Sequence, residues 1–216
     1  MLASLAAEGF TVASLEYRLS AEAKFPAQLQ DAKASLRFLG DNAARYRIDP
    51  SRVGIWGGSA GGHLTALTAL TCKDTSLDPA AAKDVCATAA VTWYGVFDFG
   101  ALAAGRADAT DNAAERLMDC NGRCSAETYA LASPVTYVDA KDPPFLLIHG
   151  TEDKVVPISQ SRLGEAKLRA AGVPVQVIYI PGVDHSFIGS TPAQTRTATL
   201  QATKIGRASC RERVSS

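Results

Sequence analysis

The sequence predicts an α/β fold, a mostly parallel sheet with helices on both faces, formed as one domain. Three observations carry that prediction. Short apolar, β-branched runs alternate with segments of helical period, the pattern of a parallel sheet covered by helices. One run, Phe145-Leu146-Leu147-Ile148, is apolar throughout, as a strand buried on both faces requires. The 216 residues, 47% of them hydrophobic and 20% charged, suffice for a single core.

In chain order, the first nine residues lack a basic start and are interrupted by Glu8, so they do not read as a signal peptide. They read as the last turns of an amphipathic helix, and so as the interior of a longer protein. Residues 10–17 predict the first strand. Pro26 opens a helix that places Leu29, Ala32, Leu36 and Leu39 on one face. Asp49-Pro50-Ser51 turns the chain into a strand at 52–56. Residues 57–62 break that strand, and 63–70 read as a buried helix. Residues 87–93 form the third strand. The looser stretch 97–138, rich in Ala, Asp and Asn, sits where a lid or substrate-binding cap would be placed. After Pro143-Pro144 comes the apolar strand 145–148. Residues 159–171 form a helix with Leu163, Ala166, Leu168 and Ala170 as its apolar positions, capped by Gly172. Residues 173–180 are the last strand.

Charge and length exclude several classes. With 22 basic and 22 acidic residues there is no basic excess for nucleic-acid phosphates. No apolar run approaches the ~20 residues a membrane span needs. The stretch Ile205-Gly206-Arg207-Ala208-Ser209-Cys210-Arg211-Glu212-Arg213-Val214 resembles a translated sequencing adapter, so 205–216 is read as a non-native tail and 1–204 as the domain. The four other cysteines form no C-x-x-C pair and show no zinc spacing. Cys72 and Cys86 bracket one loop, and Cys120 and Cys124 bracket a turn. Two bridges there would favour a secreted or periplasmic protein, whereas four free thiols in the cytoplasm fit the spacing equally well.

The chemistry centres on Gly57-Gly58-Ser59-Ala60-Gly61-Gly62. It matches G-x-S-x-G between a strand and a helix, the nucleophile elbow of the α/β-hydrolase fold. Glycine at 57 and 61 is expected to remove Cβ atoms that would clash in so sharp a turn. Ser59 would then project above the carboxyl edge of the sheet, with the helix dipole and the Ala60 backbone N–H facing a developing oxyanion.

A serine hydroxyl needs an adjacent base, and in elbow enzymes the acid and then the histidine follow it in the chain. Of three histidines, His149 and His185 follow Ser59. His185 lies in the loop after the last strand and is the expected base. His149, at the end of the buried strand, reads as structural, its ring bonded to nearby backbone. His63, on the helix after the elbow, reads as a packing residue. Asp153 falls in the loop after the penultimate strand and is the expected orienting acid. Its rival Glu152 should face solvent, and Asp184 reads as a loop cap. Trp93, Tyr94 and Phe97 are candidates for an acyl pocket because they follow the third strand on the same edge as Ser59. Tyr17-Arg18 and Asp31 read as a structural pairing.

Further segments carry a family resemblance. Glu16-Tyr17-Arg18-Leu19-Ser20, Phe25-Pro26-Ala27-Gln28-Leu29-Gln30-Asp31 and Ile48-Asp49-Pro50-Ser51-Arg52-Val53 are of this kind, with residues 57–64. Together they resemble carboxylesterases related to hormone-sensitive lipase. Ser133-Pro134-Val135-Thr136-Tyr137-Val138, Pro143-Pro144-Phe145-Leu146-Leu147-Ile148-His149-Gly150 and Gln160-Ser161 bring the chain nearest to the feruloyl/acetylxylan esterase-like branch, BD-FAE. The resemblance spans about residues 2–204. It implies cofactor-free hydrolysis of carbohydrate-linked acyl groups or small soluble esters. It also implies an N-terminally truncated fold. The family's His-Gly-Gly-type oxyanion motif is absent, and the first three of eight strands are unaccounted for. The third of these would lie between 10–17 and 52–56. One lost oxyanion donor costs ~10²–10³ in rate, and a missing interior strand would expose unpaired backbone and apolar surface on both sides, so residues 1–204 alone are expected to be unstable or inactive. Two other readings share the sequence: a prolyl-oligopeptidase-type peptidase and a non-catalytic binding protein of the same fold.

Overall fold

A computed structural model describes residues 2–7, 9–105, 113–120 and 122–198; the tail expected from residue 205 lies outside them. In chain order the elements are α1 (Leu2–Ala7), α2 (Ala27–Asp41), α3 (Ala43–Tyr46), β1 (Gly54–Gly58), α4 (Ala60–Leu70), β2 (Ala89–Trp93) and α5 (Phe99–Ala104). There follow α6 (Ala113–Met118), α7 (Ala126–Ala132), β3 (Phe145–Gly150), α8 (Ser159–Ala170) and β4 (Val175–Ile180). The four strands are parallel and ordered β1-β2-β3-β4. Each parallel step needs a crossover. α4 supplies the first, α5 to α7 the second and α8 the third.

The central strands β2 and β3 are buried on both faces, as the apolar run at 145–148 requires, while the edge strands β1 and β4 are partly buried. Ala89, Val91, Trp93, Leu146 and Ile148 pack on one side with Ile180 and Phe187. Ala90, Phe145 and Leu147 pack on the other against Ala66 and Leu70 of α4 and Leu168 of α8. Phe145, Leu146, Leu147 and Ile148 are all fully buried, worth about 1.5–3 kcal/mol each relative to exposure.

Two expectations need correction. Residues 10–17 form no strand. A strand exists through its ladder, and none of the described segments pairs with this one, so it runs largely exposed with Leu15 in solvent. Its end is nonetheless anchored, because Arg18 forms a two-pronged ion pair with Asp31 of α2, at 2.9 Å from Nε to Oδ2 and 2.8 Å from Nη2 to Oδ1. The helix α8 also turns a different face inward. Gln160, Ser161, Gly164 and Leu168 are buried, whereas Leu163, Ala166 and Ala170 are exposed. The Phe97 ring takes the space a Cβ on Gly164 would need, so the buried stripe runs through small and polar residues that hydropathy does not mark.

Disulfides join Cys72 to Cys86 and Cys120 to Cys124. The first closes a loop also held by buried charge. Lys33 Nζ lies 3.1 Å from Asp84 Oδ2, and Arg37 Nη1 lies 2.8 Å from Asp78 Oδ2. Bridging residues 14 apart should stabilise the fold by about 3 kcal/mol. Urea unfolding of the Cys72→Ser/Cys86→Ser chain is expected to show that loss. A change below ~0.5 kcal/mol would mean that the ion pairs hold the loop unaided. No helix among the described residues is long and apolar enough to cross a membrane.

Candidate active site

All four strands end at the same edge, and the residues just beyond their carboxyl ends build the site. After β1 comes Ser59, after β2 Tyr94, after β3 the loop bearing Asp153, and after β4 the loop bearing His185. Ser59 has φ 54° and ψ −120°, outside the usual regions for a side chain with a Cβ, as expected at a sharp elbow. Its N–H donates to Trp93 O at 2.9 Å, and its carbonyl accepts from His63 N–H at 3.0 Å, which ties the strained residue to β2 and α4.

Glycine is required here for close approach, though not at both positions expected. A Cβ on Gly57 would strike the carbonyl of Gly61 and come within 2.8 Å of Thr65 Oγ1. On Gly61 it would meet nothing within 4 Å. The second tight position is Gly62, whose Cβ would lie 3.0 Å from Gly95 Cα and from Trp93 O. The strand–helix crossing, rather than the turn itself, makes that demand.

Ser59, His185 and Asp153 come together. Ser59 Oγ lies 3.0 Å from His185 Nε2, and His185 Nδ1 lies 2.8 Å from Asp153 Oδ2. The Asp153 carboxylate is buried, and its Oδ1 accepts from the N–H groups of Val155 at 2.9 Å and Val156 at 2.7 Å. Glu152 is exposed. Asp184 caps its loop, accepting from Lys154 N–H at 2.9 Å and His185 N–H at 2.7 Å; these two bonds hold its carboxyl below the usual range. It thereby joins the acid loop to the histidine loop. The Ala60 N–H stands at the first position of α4, where a helix leaves its N–H groups without an internal acceptor.

The other two histidines are buried and neutral. His149 is wholly enclosed, with Nδ1 2.7 Å from Ser161 Oγ and Nε2 2.8 Å from Val156 O. The same Nε2 lies 3.2 Å from Asp153 Oδ2. Both neighbours of Nε2 are acceptors, so Nε2 carries the hydrogen and Ser161 donates to Nδ1. Burial pushes the His149 pKa down. Beyond the backbone partner expected of it, His149 thus contacts the side chains of Ser161 and Asp153. Gln160 and Ser161, met in the sequence only as matching residues, have definite tasks. Gln160 Oε1 accepts from Phe97 N–H at 2.9 Å and Asp98 N–H at 2.8 Å, and Ser161 fixes His149.

His63 donates from Nε2 to Ala132 O at 2.7 Å and meets the Phe99 ring edge-on. Burial lowers its pKa from 6.5 to about 4. Between these values the unfolded chain binds the extra proton, so stability is lost as pH falls from 6.5 to 4 and is independent of His63 above that range. The loss is about 3 kcal/mol. Urea unfolding at pH 7 and pH 4.5 should show about 2 kcal/mol of it, and His63→Gln should flatten the dependence; an unaltered slope in that variant would contradict the assignment.

The acyl-pocket candidates divide. Phe97 is 0% exposed and Trp93 4%. Trp93 stacks edge-on with Trp56 and Phe187, so in this structure both residues fill core rather than line an opening. Tyr94 alone lies against the site, its ring centroid 4.6 Å from that of His185.

The sequence matches the BD-FAE family over residues 1–168. The chain belongs to the BD-FAE family. Its α/β-hydrolase fold is shared with a carbohydrate esterase from gut microbiota, 31% identical with a TM-score of 0.74, over 90% of this chain and 73% of that one. An acetyl ester-xyloside bifunctional hydrolase from Caldicellulosiruptor lactoaceticus is 26% identical with a TM-score of 0.73, over 89% and 69% of the two chains. Among curated proteins, the probable carboxylic ester hydrolase LipM of Mycobacterium tuberculosis is 34% identical over 89% of this chain and 46% of its own length. This BD-FAE chain thus spans about half the length of the curated relatives it matches.

Proposed function

We propose that the protein is a serine carboxylic ester hydrolase working through an acyl-enzyme, with Ser59 as nucleophile, His185 as base and Asp153 as orienting acid. The observation that carries the reading is the unbroken run of short contacts from Ser59 Oγ through the His185 ring to a buried carboxylate. His185 Nε2 takes the Oγ proton as Oγ bonds to the ester carbonyl carbon. The carbonyl oxygen becomes an oxyanion beside the Ala60 N–H. Collapse breaks the bond to the alcohol oxygen, which leaves with the proton from Nε2. Water then repeats the sequence, giving its proton to Nε2 as its oxygen attacks the acyl carbon, and the acid departs as Oγ recovers the proton. Asp153 holds Nδ1 protonated throughout and stabilises the imidazolium.

Acetyl or feruloyl esters of plant carbohydrates, or other small soluble esters, are the substrates we infer. The names borne by the gut-microbiota and Caldicellulosiruptor relatives support the carbohydrate-linked class. The two disulfides support a secreted or periplasmic location. The test is labelling by a fluorophosphonate probe, expected on Ser59 and lost in His185→Ala. Labelling that survives that change would exclude the mechanism. Faster cleavage of a matched dipeptide amide than of an acyl ester would favour a peptidase instead.

A further inference from the structure

Sheet order poses a geometric problem that the three reacting side chains do not solve. Ser59 follows β1 and His185 follows β4, at opposite edges of the four-stranded order β1-β2-β3-β4. Three strand spacings separate them, about 14 Å at ~4.8 Å each. The His185 loop must therefore lean back across the ends of β3 and β2 to bring Nε2 within 3.0 Å of Ser59 Oγ. The Asp153 contact holds the ring from the β3 side. On the β2 side stands Tyr94, with Tyr94 N–H fixed to Ile148 O at 2.8 Å.

Resting on the esterase reading, we propose that the Tyr94 ring is a positioning residue: it is the surface on which the His185 imidazole rests, and it couples that imidazole to the elbow. Three independent contacts argue for this. Its centroid lies 4.6 Å from the His185 ring, at 59° between planes. It lies 5.1 Å from the ring of Phe187 and meets it edge-on at 80°, so it supports the loop on both sides of Ser186. Its hydroxyl end lies beside Gly58, where a Cβ would come within 3.1 Å of Tyr94 Cε2 and Oη, so the residue preceding the nucleophile leaves room for the ring. The backbone is strained where these parts meet: φ is 54° at Ser59, 41° at Tyr94, 56° at Ser186 and 61° at Phe187. Positive φ at four side-chain-bearing residues around one contact persists only where the surroundings dictate it. Among the three candidates for an acyl pocket, Tyr94 thus has a different task, acting on substrate only through His185.

The experiment compares Tyr94→Leu and Tyr94→Phe in the full chain. Loss of the ring should lower kcat by about tenfold to a hundredfold, the effect of misplacing a reacting group by up to ~1 Å, with KM and the melting temperature little changed. Tyr94→Phe should restore most of that loss, because it keeps the ring contacts with His185 and Phe187 and gives up only the hydroxyl's hydrogen bond to Ser186. A rise in KM at unchanged kcat would overturn the proposal and make Tyr94 a pocket wall. Wild-type kinetics in Tyr94→Leu would also overturn it. A second measurement needs no turnover: the low-field proton NMR signal of His185 Nδ1–H bonded to Asp153. It should be sharp in the wild type and in Tyr94→Phe, and exchange-broadened in Tyr94→Leu. An unchanged signal in Tyr94→Leu refutes positioning, whereas absence of Ser59-dependent hydrolysis in the wild type refutes the esterase reading, so the two failures are distinct.

Discussion

Ser59→Ala, His185→Ala and the double variant are expected to lose ester hydrolysis by a similar large factor, about 10⁴–10⁶, rather than by multiplied factors. The equality follows from how the residues share one step. Without Ser59 there is no hydroxyl for His185 to deprotonate, and without His185 the Ser59 hydroxyl, 3.0 Å from its only ring acceptor in this run of contacts, stays protonated at neutral pH. Asp153→Asn should cost about 10⁴, because an amide beside Nδ1 can present its NH₂ and hold the wrong tautomer. Its neighbours make that outcome sharper here. Oδ1 accepts from two backbone N–H groups, and Oδ2 accepts from His185 at 2.8 Å and lies 3.2 Å from His149 Nε2. An asparagine must lose one side of that arrangement whichever way it turns. Values of kcat/KM with p-nitrophenyl acetate, corrected for spontaneous hydrolysis and expressed as ratios to the unaltered chain, give these losses as free energies. Multiplicative losses in the double variant, or an Asp153→Asn chain within tenfold of the parent, would remove the case for a shared proton transfer.

How much of this was legible in the sequence depended on whether the signal was local. The strands at 54–58, 89–93, 145–150 and 175–180 fall within two residues of the runs that predicted them, and for the fully buried β2 and β3 the reason is that burial on both faces writes an apolar run into the chain. The meeting of Ser59, Asp153 and His185 could be anticipated because parallel strands all end at one edge. Three features were hidden for physical reasons. Residues 10–17 have strand composition, but pairing is a property of neighbours and not of a segment. The inward face of α8 consists of Gln160, Ser161 and Gly164, whose burial is repaid by hydrogen bonds and ring packing that hydropathy does not record. The contact of Tyr94 with His185 was hidden because only sheet order reveals that the His185 loop must cross β2.

The elbow itself yields the other large effect, one of stability ordered by position. Gly57→Ala should prevent folding or cost more than about 4 kcal/mol, since its Cβ would meet the Gly61 backbone and no side-chain rotation can relieve that. Gly62→Ala should cost about 1–3 kcal/mol: its Cβ would stand 3.0 Å from Gly95 Cα and Trp93 O, tight enough to force β2 and α4 slightly apart. Gly61→Ala should be neutral or stabilising by about 0.5 kcal/mol, because its Cβ would enter open space and alanine favours the helix. Thermal midpoints of the three variants give the order directly. Stability and chemistry are linked here, because the Gly57–Gly61 approach sets how sharply β1 turns into α4, and that turn puts Ser59 at φ 54° with its hydroxyl facing His185. If Gly61→Ala proved as damaging as Gly57→Ala, the close approach of backbone to backbone at Gly57 would not be what shapes the elbow, and the strained placement of Ser59 would need another cause.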